Sequence, residues 1–173
     1  MTKKSNRIFN LMITGTLMLL GASAYAADYN GWSLGPGVNN VGDGDISVSN
    51  GVISLGLRSS DALAVNLSIG GGGSTTLDGV NIDVDVDYFA HQKFKFGGRS
   101  GNFYYYGTVG YATLSLDLSA GSASVSADGD AFTAGIGMET VLSRNWLFNL
   151  EYDRGFKDLE DTDIFSLNLR YLW

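Results

Sequence analysis

Apolar and polar residues alternate at the C-terminal end of this chain. Phe165, Leu167, Leu169, Tyr171 and Trp173 are interleaved with Ser166, Asn168, Arg170 and Leu172. A period of two predicts a β-strand with two unlike faces. Five further segments carry the same pattern. Leu63, Val65, Leu67 and Ile69 oppose Ala64, Asn66 and Ser68. Ile82, Val84, Val86, Tyr88, Ala90, Phe94 and Phe96 oppose Asp83, Asp85, Asp87, Phe89, His91, Lys93 and Lys95. Tyr104, Tyr106, Thr108, Ala112, Leu114, Leu116 and Leu118 oppose Tyr105, Val109, Tyr111, Thr113, Ser115 and Asp117. Phe132, Ala134, Ile136 and Met138 oppose Thr133, Gly135, Gly137 and Glu139. Trp146, Phe148, Leu150 and Tyr152 oppose Asn149, Glu151 and Asp153.

The first part of the chain is less regular. Tyr29 to Val38 reads as a strand with Trp32, Leu34 and Val38 on one face, but it contains Pro36, which suits an edge, a strand start or a bulge. From Asp45 to Arg58 the phase breaks: Ile46 and Val48 share one parity, while Ile53, Leu55 and Leu57 share the other. Either Gly51 marks a bulge in one long strand or Asn50-Gly51 makes a tight hairpin. An even strand count favours the bulge. The connections alternate in kind. Those at 59–61, 97–102 and 142–145 are short; those near 39–44, 70–80, 119–130 and 155–163 are longer and rich in Gly, Ser and Asp.

The apolar C-terminal face needs a cover. In water an exposed apolar edge strand would aggregate; against lipid, in a closed barrel, it is satisfied. No apolar run after the first 26 residues approaches the roughly 18 needed for a membrane helix. In a transmembrane barrel only alternate residues face lipid, so a mean hydropathy of +0.05 is compatible with one. The alternative is a soluble barrel with the apolar set inside, such as a lipocalin-like carrier; asymmetric loops and a charged minority face favour the membrane. Lys3, Lys4 and Arg7, a short apolar run from Leu11 to Ala22, and Ala24-Tyr25-Ala26 have the layout of a secretory signal peptide. We expect residues 1–26 to be cleaved and 27–173 to form one outer-membrane domain. The chain has no cysteine, which excludes disulfide staples. Its net charge of −7 becomes more negative without the leader, which argues against nucleic-acid partners.

The predicted hairpin from Asn145 to Asp153 and from Phe165 to Trp173 resembles the closing hairpin of the small outer-membrane β-barrels of Gram-negative bacteria, the OmpA/OmpX type. The resemblance implies an all-β, antiparallel up-and-down transmembrane barrel of eight strands. It implies a periplasmic N-terminus, three short periplasmic turns and four cell-surface loops; the sequence departs from OmpA itself in showing no peptidoglycan-binding domain after the barrel, so a cell-wall tether is not implied. It further implies contact with outer-membrane lipid and lipopolysaccharide, assembly by the barrel-assembly machinery, a monomeric state and no cofactor. Phe165, Leu167, Leu169, Tyr171 and Trp173 would then be the assembly signal. The family is functionally mixed, so fold does not fix activity.

The candidate sites are structural. Asp83, Asp85 and Asp87 lie on one face of one strand, roughly 6.6 Å apart. Carboxylates suit a hard cation, but a straight strand does not converge three of them on one ion. The favoured reading is a lumen face balanced by Lys93, Lys95 and Arg170. Glu139, Glu151 and Arg170 face inward on three successive strands and should join Lys93 and Lys95 in an ion-pair network that plugs the lumen, because an unpaired buried charge is costly. An eight-stranded barrel is only wide enough to be filled by its own side chains. A narrow pore is the runner-up. His91, the only histidine, could serve a lipid-modifying enzyme, the third reading; an inward position near the short-turn end argues instead for a hydrogen-bonded lumen residue and no enzymatic role. Trp32, Tyr104, Tyr106, Trp146 and Tyr152 suit the aromatic girdles. Acidic loops would carry any surface ligand.

Overall fold

The computed structural model describes residues 31–43, 46–60, 62–77, 82–143, 145–157 and 162–173. The expected signal peptide lies outside them. Nine strands form: β1 (Gly31–Asp43), β2 (Ile46–Arg58), β3 (Leu63–Gly71), β4 (Ser74–Leu77), β5 (Ile82–Ser100), β6 (Phe103–Ala120), β7 (Ala123–Ser143), β8 (Trp146–Lys157) and β9 (Asp163–Leu172). All neighbours pair antiparallel, β1 with β9 and β3 with β5, so the sheet closes on itself. Both β3 and β4 pair with β5 and act as one interrupted strand, which makes a closed barrel of eight strands.

The interruption has a local cause. Gly72 and Gly73 adopt φ of +68° and +114°, where only glycine sits cheaply. Opposite them the β5–β6 register shifts between Val86 and Tyr88. Asp87 is the extra residue, a β-bulge, and the interior face of β5 changes parity there. Val84 and Val86 point inward above it; Phe89, His91, Lys93 and Lys95 point inward below it. Asp83, Asp85 and Asp87 are therefore exposed on the outside. This corrects their expected place in the lumen.

The bulge expected at Gly51 is absent. β2 is one strand, and its register against β1 runs unbroken from Asp43↔Ile46 to Gly31↔Arg58. Its phase break records a change of surroundings. Near the far end the barrel interior is apolar, and Val48 and Val52 point into it. Near the end that holds Gly31 and Trp173 the exterior is apolar, and Ile53 on the outer face is 56% exposed. Pro36 lies in β1, and the β1–β9 ladder skips Gly35 and Pro36, consistent with the missing N–H of proline.

The long loops expected near 39–44 and 119–130 are mostly strand. β1 continues to Asp43, and β2 resumes at Ile46. β6 and β7 pair up to Ala120↔Ala123, turning at Gly121 with φ +63°. β5, β6 and β7 hold 19, 18 and 21 residues. At about 3.3 Å per residue such strands are roughly 60–70 Å long, far more than an apolar band about 25 Å tall requires even when tilted. Their upper halves would stand clear of such a band. There the interior holds a dry cluster of Val41, Val48, Val52, Val84, Val86, Phe89, Ala112, Leu114 and Ile164.

Candidate functional site

Below the dry cluster the barrel interior is lined by buried polar side chains. Glu139 on β7 accepts from two guanidiniums, Arg58 of β2 on one carboxylate oxygen and Arg170 of β9 on the other. Arg170 Nη1 also donates to Asn66 Oδ1 at 2.6 Å. The Arg58 guanidinium lies 3.7 Å from the centre of the Tyr104 ring, a cation–π contact. A second cluster sits beside this one. Glu151 on β8 pairs with Lys93 and, at 2.9 Å, with Lys95. Lys93 Nζ is also 3.1 Å from Asp153 Oδ2. Every one of these charged side chains is buried.

Neutral groups complete the network. Tyr106 Oη donates to Glu151 Oε2 at 2.9 Å and accepts from Lys95 Nζ at 3.1 Å and from Asn149 Nδ2. Its ring lies over Gly137, where any Cβ would collide with it. Ser54 is 2.7 Å from Ser68 and donates to Asn168 Oδ1 at 2.7 Å, and Asn168 Nδ2 donates to Asn149 Oδ1 at 3.0 Å. Connected polar networks of this kind rigidify an interior and favour one arrangement of it.

The structure therefore brings Lys93, Lys95, Glu139, Glu151 and Arg170 into one lumen. It adds Arg58, Asp153 and Tyr106. Arg58 ends β2, the strand whose alternation breaks, so periodicity carries no signal for it. Tyr104 and Tyr106 were expected outside and are 2% and 5% exposed, inside. The outward aromatics of β6 are Phe103 and Tyr105. Trp146 and Tyr152 face outward and are exposed; Trp32 is half-buried. Phe165, Leu167, Leu169, Tyr171 and Trp173 are all exposed on the outer surface. His91 lies at mid-height rather than near the turn end, where the dry cluster meets the polar network. It is fully buried, with Nε2 2.8 Å from Thr133 Oγ1 and its ring edge-on to Phe89.

The outer face of the upper walls is polar. Asp85 and Asp117 are direct cross-strand partners, and Asp128 stands opposite Ser115. Ser115 Oγ donates to Asp128 Oδ1 at 2.7 Å and holds that carboxyl below its usual range. Among the described residues no group of three or more His, Cys, Asp or Glu is arranged to hold a metal ion.

A sequence model of the outer membrane protein beta-barrel domain matches residues 12–171. This chain belongs to that family. Solved outer-membrane barrels share its fold. OprG from Pseudomonas aeruginosa superposes with a TM-score of 0.60 at 13% identity, covering 86% of this chain and 98% of OprG. Neisserial surface protein A gives 0.56 at 11% identity, covering 82% and 96%. Ail of Yersinia pestis, solved with the heparin analogue sucrose octasulfate, gives 0.53 at 16% identity, covering 82% and 94%. At these identities the likeness is one of fold. No curated protein matches the chain in sequence.

Proposed function

We propose that this outer membrane barrel is a closed, non-conducting and non-enzymatic wall protein, exported through its N-terminal leader, that stiffens the envelope and offers a rigid acidic rim for surface contact. The observation that carries the reading is the set of buried side chains inside the barrel. A dry apolar cluster occupies the far half, and paired charges from Arg58 to Arg170 occupy the near half. A permeating ion would have to displace both. His91 supports the non-enzymatic reading, being sealed in the lumen away from any lipid surface.

In place, the apolar belt would meet outer-membrane lipid and lipopolysaccharide, and the barrel-assembly machinery would read the C-terminal strand of a monomer. The rim narrows the choice of surface partner. Asp83, Asp85, Asp87, Asp117 and Asp128 are exposed on adjoining strands, so a cationic partner suits it and a sulfated polyanion, such as the heparin analogue bound by Ail, does not.

Planar-bilayer recording on the purified protein tests the proposal. The expected record is silent at potentials that open porins. Stepwise, reproducible conductance would replace the reading with a narrow pore for small solutes.

A further inference from the structure

The two charge clusters of the lumen differ in balance. Lys93 and Lys95 face Glu151 and Asp153, two cations against two anions. Arg58 and Arg170 share Glu139 alone, two cations against one anion. One positive charge is left over among the described residues, in a place where an uncompensated charge is costly. The tyrosine face beneath Arg58 offsets only part of it.

This triad borders a small cavity at the end of the lumen near Gly31 and Leu172. Arg58, Arg170, Glu139, Lys95 and Ser33 line it, and the centre of a water-sized sphere has ≈ 10 Å³ to move in, so it takes a particle at least as large as one water. Arg170 Nε is buried and donates to nothing among the described residues, although both other nitrogens of that guanidinium are engaged. Gly56 lets the two donors of the wall approach: a Cβ there would lie 2.7 Å from Ser33 Oγ and would strike the Arg170 guanidinium. An excess charge, an idle donor and a fitted void thus coincide.

We propose that this cavity is a binding site for one small monovalent anion of halide size, held by Arg58 and Arg170 and completing the charge balance of the lumen. Arg170 Nε is the donor left for it, and Ser33 Oγ is a second donor on the wall. The size of the void sets the selectivity: chloride and bromide fit, while sulfate and gluconate do not. The site goes beyond the closed-wall reading and stands whether or not the lumen conducts. An anion that binds only the folded barrel stabilises it by mass action, about 100-fold in the folding equilibrium when chloride is at 100 times its dissociation constant.

The test uses the full barrel folded in detergent micelles at constant ionic strength. Chloride-35 NMR should show excess line broadening that bromide displaces and gluconate does not. Arg58→Lys, which keeps the charge, should retain the effect. Arg58→Gln, which leaves Arg170 and Glu139 as a neutral pair, should abolish it. Broadening that persists in Arg58→Gln, or that is missing from the wild type, overturns the site. Should Arg58→Gln fail to fold, crystals of the wild type soaked in bromide decide: an anomalous peak between Arg58 and Arg170 supports the site, and its absence with bromide ordered elsewhere rejects it.

Discussion

Glu139 is the residue on which the lumen turns, because among the described residues it alone holds two guanidiniums. Its loss and the loss of a partner are therefore unequal. Glu139→Gln leaves Arg58 and Arg170 facing each other, buried and unpaired, and should cost about 3–5 kcal/mol. Arg170→Leu leaves Arg58 and Glu139 as a balanced pair and forfeits chiefly the charged hydrogen bonds to Glu139 and Asn66, so its cost should fall nearer 1.5–3 kcal/mol. Denaturant unfolding of the barrel in micelles measures both. The contacts also predict whom Arg170 couples with. A double-mutant cycle should show stronger coupling of Arg170 to Glu139 than to Glu151, which belongs to the lysine cluster. Equal or reversed coupling would mean that the pairing is wrong.

At the scale of the strand, the decisive event is the passage from membrane to water. Within the membrane a barrel strand is apolar outside; above it, over a dry interior, it is apolar inside. A strand making that passage must swap its apolar face. β2 does so without a bulge, and its sequence shows a phase break between Val48 and Ile53. β5 does so with a bulge at Asp87, and two changes of phase cancel, so the alternation from Ile82 to Ala90 runs on undisturbed. This is why sequence placed a bulge in β2 and put Asp83, Asp85 and Asp87 in the lumen. β6 misleads in the same way: Tyr104, Tyr106, Ala112 and Leu114 share one inward face, although the lower pair serves a polar network and the upper pair a dry one. Stretches within the apolar belt were legible: the apolar face read in β7, β8 and β9 is the outer face from Phe132 to Met138, from Trp146 to Tyr152 and from Phe165 to Trp173. Periodicity fixes which residues share a face; it does not say what that face meets. A labelling experiment separates the two zones. Single cysteines at Asp117 and Ser126 should react with a membrane-impermeant maleimide in intact vesicles that display the rim, and cysteines at Val109 and Ile136 should not. The rim should also gain stability when its repulsion is relieved. Asp85 opposes Asp117 directly, and Asp117→Lys should raise stability by about 0.2–1 kcal/mol, read as slower amide exchange in the upper halves of β5 and β6.

At the scale of the whole molecule, closure depends on β9, which is paired on both sides. It joins β1 from Gly42↔Asp163 to Ser33↔Leu172 and β8 from Arg154↔Asp163 to Trp146↔Tyr171. The last three residues tie the seam at its end. Leu172 N donates to Asn145 O at 2.7 Å, Trp173 N donates to Trp32 O at 3.1 Å, and Tyr171 packs edge-on against Trp146. Without them the ends of β1 and β8 would expose unpaired backbone groups at the membrane surface, each costly where water is scarce. The lumen would also open beside Arg170, the residue before the cut. Deleting Tyr171 to Trp173 should therefore block insertion while export continues, so that the chain accumulates in the periplasm and is degraded there. Measuring the heat-dependent gel shift in the outer-membrane fraction checks this, since a closed barrel migrates differently from an unfolded chain. A second variant separates assembly from simple loss of stability. Tyr171→Ala with Trp173→Ala keeps every backbone hydrogen bond of the seam and removes only the exposed aromatics. If the aromatics are read during assembly, this variant should insert poorly yet fold normally from urea into micelles. Efficient insertion in cells would show that the seam's backbone pairing, rather than its aromatic face, is what assembly requires.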